Sequence, residues 1–87
     1  MDKRIVDQLN VALLALKLKQ KNEPEAVINS YIEKYQSTLT TINSNASESE
    51  KRKALDSLKR CARGYLETSS NYTQDFFQEM DKLETLL

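Results

Sequence analysis

Lys3-Arg4-Ile5-Val6-Asp7-Gln8-Leu9-Asn10-Val11-Ala12-Leu13-Leu14-Ala15-Leu16-Lys17-Leu18-Lys19-Gln20, residues 3–20, reads as a helix that is apolar nearly all round. At about 100° per residue, Ile5, Val6, Leu9, Ala12, Leu13 and Leu16 gather on one side and form a core face. Val11, Leu14 and Leu18 fall on the other. A surface helix normally carries one apolar stripe. This one is therefore either sandwiched between neighbours or bears an interface on its second face. Lys17, Lys19 and Lys21 crowd its last turns, where cations complement the helix dipole and a solvated C-terminus is expected.

The rest of the chain has the same character, because one glycine and one proline in 87 residues leave little to interrupt helices. Asn22-Glu23-Pro24-Glu25 is a start signal: Asn22 can cap, Glu25 can reach back to it, and Pro24 suits a first turn that needs no amide donor. The second helix then carries Ile28, Ile32, Tyr35, Leu39 and Ile42 at spacings of 4, 3, 4 and 3, with Tyr31 beside them, a narrow seam for coiled-coil-like packing. Asn43-Ser44-Asn45-Ala46-Ser47 has turn composition, and Ser47 with Glu50 forms a second capping box. A third helix places Ala54, Leu55, Leu58, Cys61, Ala62, Tyr65 and Leu66 on its stripe, with Gly64 a weak point unless a neighbour crosses close to it. Thr68-Ser69-Ser70-Asn71 can turn the chain, with Asn71 capping and Gln74 answering, into a fourth helix carrying Tyr72, Phe76, Phe77, Met80, Leu83 and Leu87.

The expected architecture is thus a single all-α domain over residues 1–87, a small antiparallel bundle of four helices at about 3–21, 23–43, 48–67 and 72–86. The rival has three helices, the last running unbroken from 48 to 86, because Tyr65, Ser69, Tyr72 and Phe76 also continue one helical phase. Such a long helix would almost demand a dimer. Even the four-helix form has a thin core for its length, so oligomerisation or a protein partner is expected.

Charge balances at thirteen basic and thirteen acidic residues, yet it alternates in sign along the chain. Residues 1–21 hold five basic and two acidic groups, 22–50 one and five, 51–63 six and one, and 64–87 one and five. In an up-down bundle that alternation sets opposite charges across each interface and disfavours wrong pairings. The basic segment could also serve nucleic acid. Arg52, Lys59 and Arg63 share one helical ridge with Lys53 and Arg60 beside it, a strip able to meet phosphates or an acidic protein. Asp56 interrupts it, four residues from both Arg52 and Arg60, and the tyrosines that could stack on bases sit mostly on apolar stripes. A solvated face is the favoured reading of that strip.

Chemistry is poorly provided for. There is no histidine, the usual general base and metal ligand. The single Cys61 makes neither an internal disulfide nor a thiol–histidine pair, and its place in the apolar stripe marks it as a buried structural thiol. A structural zinc site would need about four Cys or His ligands. Gly64 alone builds no phosphate loop. The paired acids Glu23 with Glu25 and Glu48 with Glu50 lie in first turns of helices, where the dipole favours negative charge. An enzyme is not expected, nor a cofactor or a metal. The N-terminal apolar run is cut by Asp7, Gln8 and Asn10, so neither a signal peptide nor a membrane span is read, and a reducing cytoplasmic setting agrees with the unpaired cysteine.

In layout, four short antiparallel helices are similar to the bacteriocin immunity proteins, with Val27-Ile28-Asn29-Ser30-Tyr31-Ile32 and the hairpin from Tyr65-Leu66 to Phe76 carrying the likeness. That resemblance implies a small cytoplasmic protein that protects a producing cell from its own peptide toxin. Secretion chaperones and phage-encoded regulators share the layout. The reading is therefore a noncatalytic helical protein-binding module, a regulator, adaptor, chaperone or immunity factor, using Val11, Leu14 and Leu18 as its interface. Its partner is another protein or itself, a homodimer being expected. A dimeric nucleic-acid-binding regulator using Arg52, Lys53, Lys59, Arg60 and Arg63 is the less favoured alternative.

Overall fold

The chain folds as a small all-α bundle, seen in a computed structural model that describes residues 2–59, Cys61, Gly64 and 75–87. Four helices have both ends among the described residues: α1 (Lys3–Asn22), α2 (Ala26–Ile42), α3 (Glu48–Asp56) and α4 (Asp75–Leu86). The α1 helix packs against α2 on one flank and α4 on the other, and α2 packs in turn against α3. Leu9, Leu16, Ile28, Tyr35, Leu55, Leu58, Met80 and Leu83 are fully enclosed where these faces meet.

Asp2 starts α1 by accepting the Arg4 amide at 2.9 Å, which satisfies one of the unpaired donors of the first turn. The Arg4 guanidinium grips the same carboxylate at 3.0 Å and holds it below the usual carboxylate range. Ile5, Leu9, Ala12, Leu13 and Leu16 are buried, as the helical phase requires, and Val6 is half-buried.

The junction after α1 differs from expectation. Asn22 ends α1, and Glu25 occupies the cap position of α2 without a side-chain capping bond. The substitute is Gln20, whose carboxamide oxygen accepts the Glu25 amide at 3.0 Å. Lys19 completes the joint: its ammonium lies 3.1 Å from both Glu23 and Glu25, and its side chain is only 8% exposed. Burial opposes its charge, but the two carboxylates together outweigh that and raise its pKa. Lys19 is a half-buried tether, whereas Lys17 and Lys21 stay exposed as a solvated helix end. Contacts of Lys17 with Gln36 and of Gln20 with Glu25 run in opposite senses along the two helices, which makes α1 and α2 antiparallel.

In α2 the buried stripe is Ile28, Tyr31, Tyr35, Thr38 and Ile42, spaced 3, 4, 3 and 4. Ile32 and Leu39, expected in the seam, are half-buried at its edge. A threonine takes the place of an aliphatic residue because its hydroxyl has work to do: Thr38 Oγ1 lies 2.9 Å from the Lys34 carbonyl and 3.3 Å from the Ala54 carbonyl of α3.

That contact bears on where α3 stops. Ser47 caps the start by accepting the Glu50 amide at 3.2 Å, as its spacing predicts. The helix ends at Asp56 instead of reaching 67. Ala54 would ordinarily accept the Leu58 amide, but its carbonyl receives the Ser57 hydroxyl at 2.6 Å and faces Thr38. Leu58 donates to Leu55 and Lys59 to Asp56, so the chain tightens into three-residue turns. Beyond that break, Cys61 and Gly64 are again helical. An unbroken 48–86 helix would span about 58 Å at 1.5 Å per residue. The molecule measures 37 Å along its longest axis, which excludes that rival. The proposed turn at Thr68–Asn71, the Asn71 cap, and the stripe positions Ala62, Tyr65, Leu66 and Tyr72 lie outside the described residues.

Among the described residues no neighbour crowds Gly64. A Cβ built there would meet the Tyr31 hydroxyl at 3.7 Å, ordinary van der Waals contact. Gly64→Ala should therefore stabilise the fold by about 0.5–1 kcal/mol through helix propensity, raising the melting temperature by several degrees. A lower melting temperature by circular dichroism would mean that the site tolerates no methyl group.

Candidate interaction surface on the first helix

Seen from outside the bundle, α1 presents Asp7, Val11, Leu14, Leu18 and Lys21 in one line at intervals of 4, 3, 4 and 3, all exposed. Val11 is 45%, Leu14 71% and Leu18 60% exposed. Among the described residues these three are the large apolar side chains left in solvent; the others are buried or half-buried against the core. The second apolar face read from the sequence is therefore an outer surface, left uncovered by the described helices α1–α4.

Both flanks of the strip are tied down. On one side Lys17 donates to the Gln36 carboxamide of α2 at 3.2 Å. On the other, Gln8 donates to the Glu79 backbone carbonyl of α4 at 2.9 Å and to its carboxylate at 3.2 Å. Lys82, hydrogen-bonded to Glu79 at 2.9 Å, pulls that carboxyl below its ordinary value, and Gln8 adds to the effect. Asn10 folds back onto the Val6 carbonyl at 3.0 Å. A helix fixed on both flanks presents its outer residues rigidly, so docking against it would cost little further ordering of the backbone.

The basic segment is arranged differently from the expected ridge. Arg52 and Lys53 are exposed on α3. Lys59 lies past the helix end in the turn, its ammonium 3.2 Å from Asp56 and its side chain about half exposed. Because α3 stops at Asp56, Arg52 and Lys59 do not share one helical face. Arg60 and Arg63 lie outside the described residues. Among the described residues, Lys19 with Glu25 links the end of α1 to the cap of α2, while Asp56–Lys59 and Glu79–Lys82 close within single turns.

A second cluster, inside the bundle, escaped the sequence reading. Tyr35 is fully buried and, among the described residues, its hydroxyl has no hydrogen-bond partner. Burial pushes its pKa far up, with the Cys61 thiol and the Glu84 carboxyl adding to the shift. Cys61 is buried as expected, and burial likewise raises its thiol, partly countered by Lys34. A buried thiol with a raised pKa packs as a small apolar group. Removing the unpartnered hydroxyl should relieve a desolvation cost, so Tyr35→Phe is expected to stabilise the chain by about 1 kcal/mol. Urea unfolding checks this, and a lower midpoint would mean that the hydroxyl is bonded in solution.

Among the described residues, no three Cys, Asp or Glu side chains converge as a metal site, and no helix is long and apolar enough to cross a membrane.

Residues 1–87 match in full the family described as YeeD uncharacterised protein, and the chain belongs to that family. Searches of curated proteins and of solved structures returned no match.

Proposed function

We propose that this chain is a noncatalytic protein-binding module whose working surface is the outer face of α1. The observation that carries the reading is the line of Val11, Leu14 and Leu18, left in solvent on a helix whose opposite face builds the core. Burying three such side chains is worth several kcal/mol, at roughly 1.5–3 kcal/mol for each one fully enclosed. Three exposed apolar groups aligned on one helix, with polar residues at both ends, suit a protein contact of small area. The residue inventory agrees with a role without catalysis: no histidine, and one cysteine held protonated in the interior.

Regulator or adaptor action, the broader class that includes immunity factors, would follow from capture on this face. Photo-crosslinking tests it. A benzophenone side chain placed at position 14 or 18 of the full chain, expressed in its native cells, should form a protein adduct that is absent when the probe stands at the exposed positions Glu33 or Ser49. Adducts of equal yield at all four positions, or none at 14 and 18, would overturn the assignment of this face.

A further inference from the structure

Reversed end to end, the exposed strip of α1 is close to its own complement. We propose that its occupant is a second copy of the chain, the two α1 helices lying antiparallel and crossing at Leu14. This inference rests on reading the strip as a protein interface.

Leu14 is the midpoint. Asp7 and Lys21 each lie seven residues from it, about 10.5 Å along a helix. A two-fold axis at Leu14 therefore sets Asp7 of each copy opposite Lys21 of the other, and Val11 opposite Leu18, with Leu14 against its own mate. On the flanks Lys17 approaches Asn10 of the other copy, and Ala15 approaches Ala15. Between residues 7 and 21 no like charges are set opposite each other, while Lys3 and Arg4, exposed one turn before Asp7, lie at the edge of the crossing. A parallel pairing would instead stack Asp7 on Asp7, Lys17 on Lys17 and Lys21 on Lys21, each pair repulsive. A separate acidic helix would suit Lys17 and Lys21 yet oppose Asp7, so the one acid on the strip favours a second copy over an acidic partner. The contact is isologous and closed, which ends assembly at two.

Three apolar side chains on one helix make a small interface, below about 1,200 Å² in total, so the dimer should dissociate in the micromolar range.

Two experiments on the full chain decide it. Single variants Val11→Cys, Leu14→Cys and Leu18→Cys are oxidised under mild conditions, with the parent, whose Cys61 is buried, as the control. Leu14→Cys should link to itself, while Val11→Cys and Leu18→Cys should link to each other on mixing far better than either does alone. Equal self-linking at all three positions would mean parallel helices, and no link at 14 would mean no dimer here; either overturns the proposal. Should a cysteine weaken the contact, charge exchange measured by sedimentation provides the second reading. Asp7→Lys should raise the dimer dissociation constant about tenfold, since it replaces two attractive pairs by two repulsive ones, and adding Lys21→Asp should restore it. Failure of the restoration overturns the pairing. A monomeric parent that still gives position-specific adducts to a different protein would refute the second copy while leaving the interface in place.

Discussion

Leu16→Ala will destabilise the chain by about 3 kcal/mol, within the 2–5 kcal/mol usual for an enclosed leucine, and lower its melting temperature by roughly 12–24 °C. Leu16 is fully buried on the core face of α1, the helix that touches both α2 and α4. The cost has two parts: the lost transfer of the isobutyl group out of water, and a cavity that the helix, tied on both flanks, cannot close by shifting. In a domain of this size, total stability is on the order of 5–10 kcal/mol, so roughly 30–60% of it is at stake. Leu14→Ala, two residues away and 71% exposed, should change the melting temperature by only a degree or two. Equal losses at 14 and 16, measured by thermal circular dichroism, would show that both faces of α1 are core.

Leu14→Glu combined with Leu18→Glu gives the opposite pattern, a large effect on association and almost none on the fold. Glutamate forms helix nearly as readily as leucine, and both positions face solvent, so helicity and melting of the monomer should match the parent. At the interface, each change removes apolar burial and places a carboxylate in an apolar contact, which costs several kcal/mol per copy. Association should weaken by more than a hundredfold. Loss of helicity in the double variant would move these residues into the core and remove the interface.

The two-sidedness of α1 was legible because its phase is unambiguous: eighteen residues without glycine or proline leave one wheel, and both faces of it are populated by leucines. The capping of α3 by Ser47 was legible for a similar reason, being a local pattern of two residues. What the sequence hid depends on contacts between elements. Thr38 is polar, so counting apolar positions passes over it and selects Leu39, rotating the α2 seam toward Ile32 and Leu39. The end of α3 depends on two hydroxyls, Ser57 from the residue just past the helix and Thr38 from across the interface, meeting at one carbonyl. Neither residue is a helix breaker alone. Lys19 looked like any cation at a helix end, because nothing local shows that Glu23 and Glu25 fold back on either side of it. In the same joint, Gln20 takes the capping role that Asn22 and Glu25 advertise. The candidate surface was readable because exposure of an apolar side chain is the complement of core placement, and one helical wheel yields both. The basic ridge failed as a single face because it assumed that α3 continues through Lys59.

The α1 helix faces two ways, inward to the core and outward with Val11, Leu14 and Leu18 in solvent. The most direct test of the outward face as an interface is the solution mass of the parent chain by light scattering from about 1 to 500 μM, beside the Leu14→Glu, Leu18→Glu double variant. The parent should rise from 10.0 kDa toward twice that value, while the double variant stays at 10.0 kDa with the same helical content. A parent that keeps the monomer mass throughout, or a double variant that dimerises as well as the parent, would contradict it.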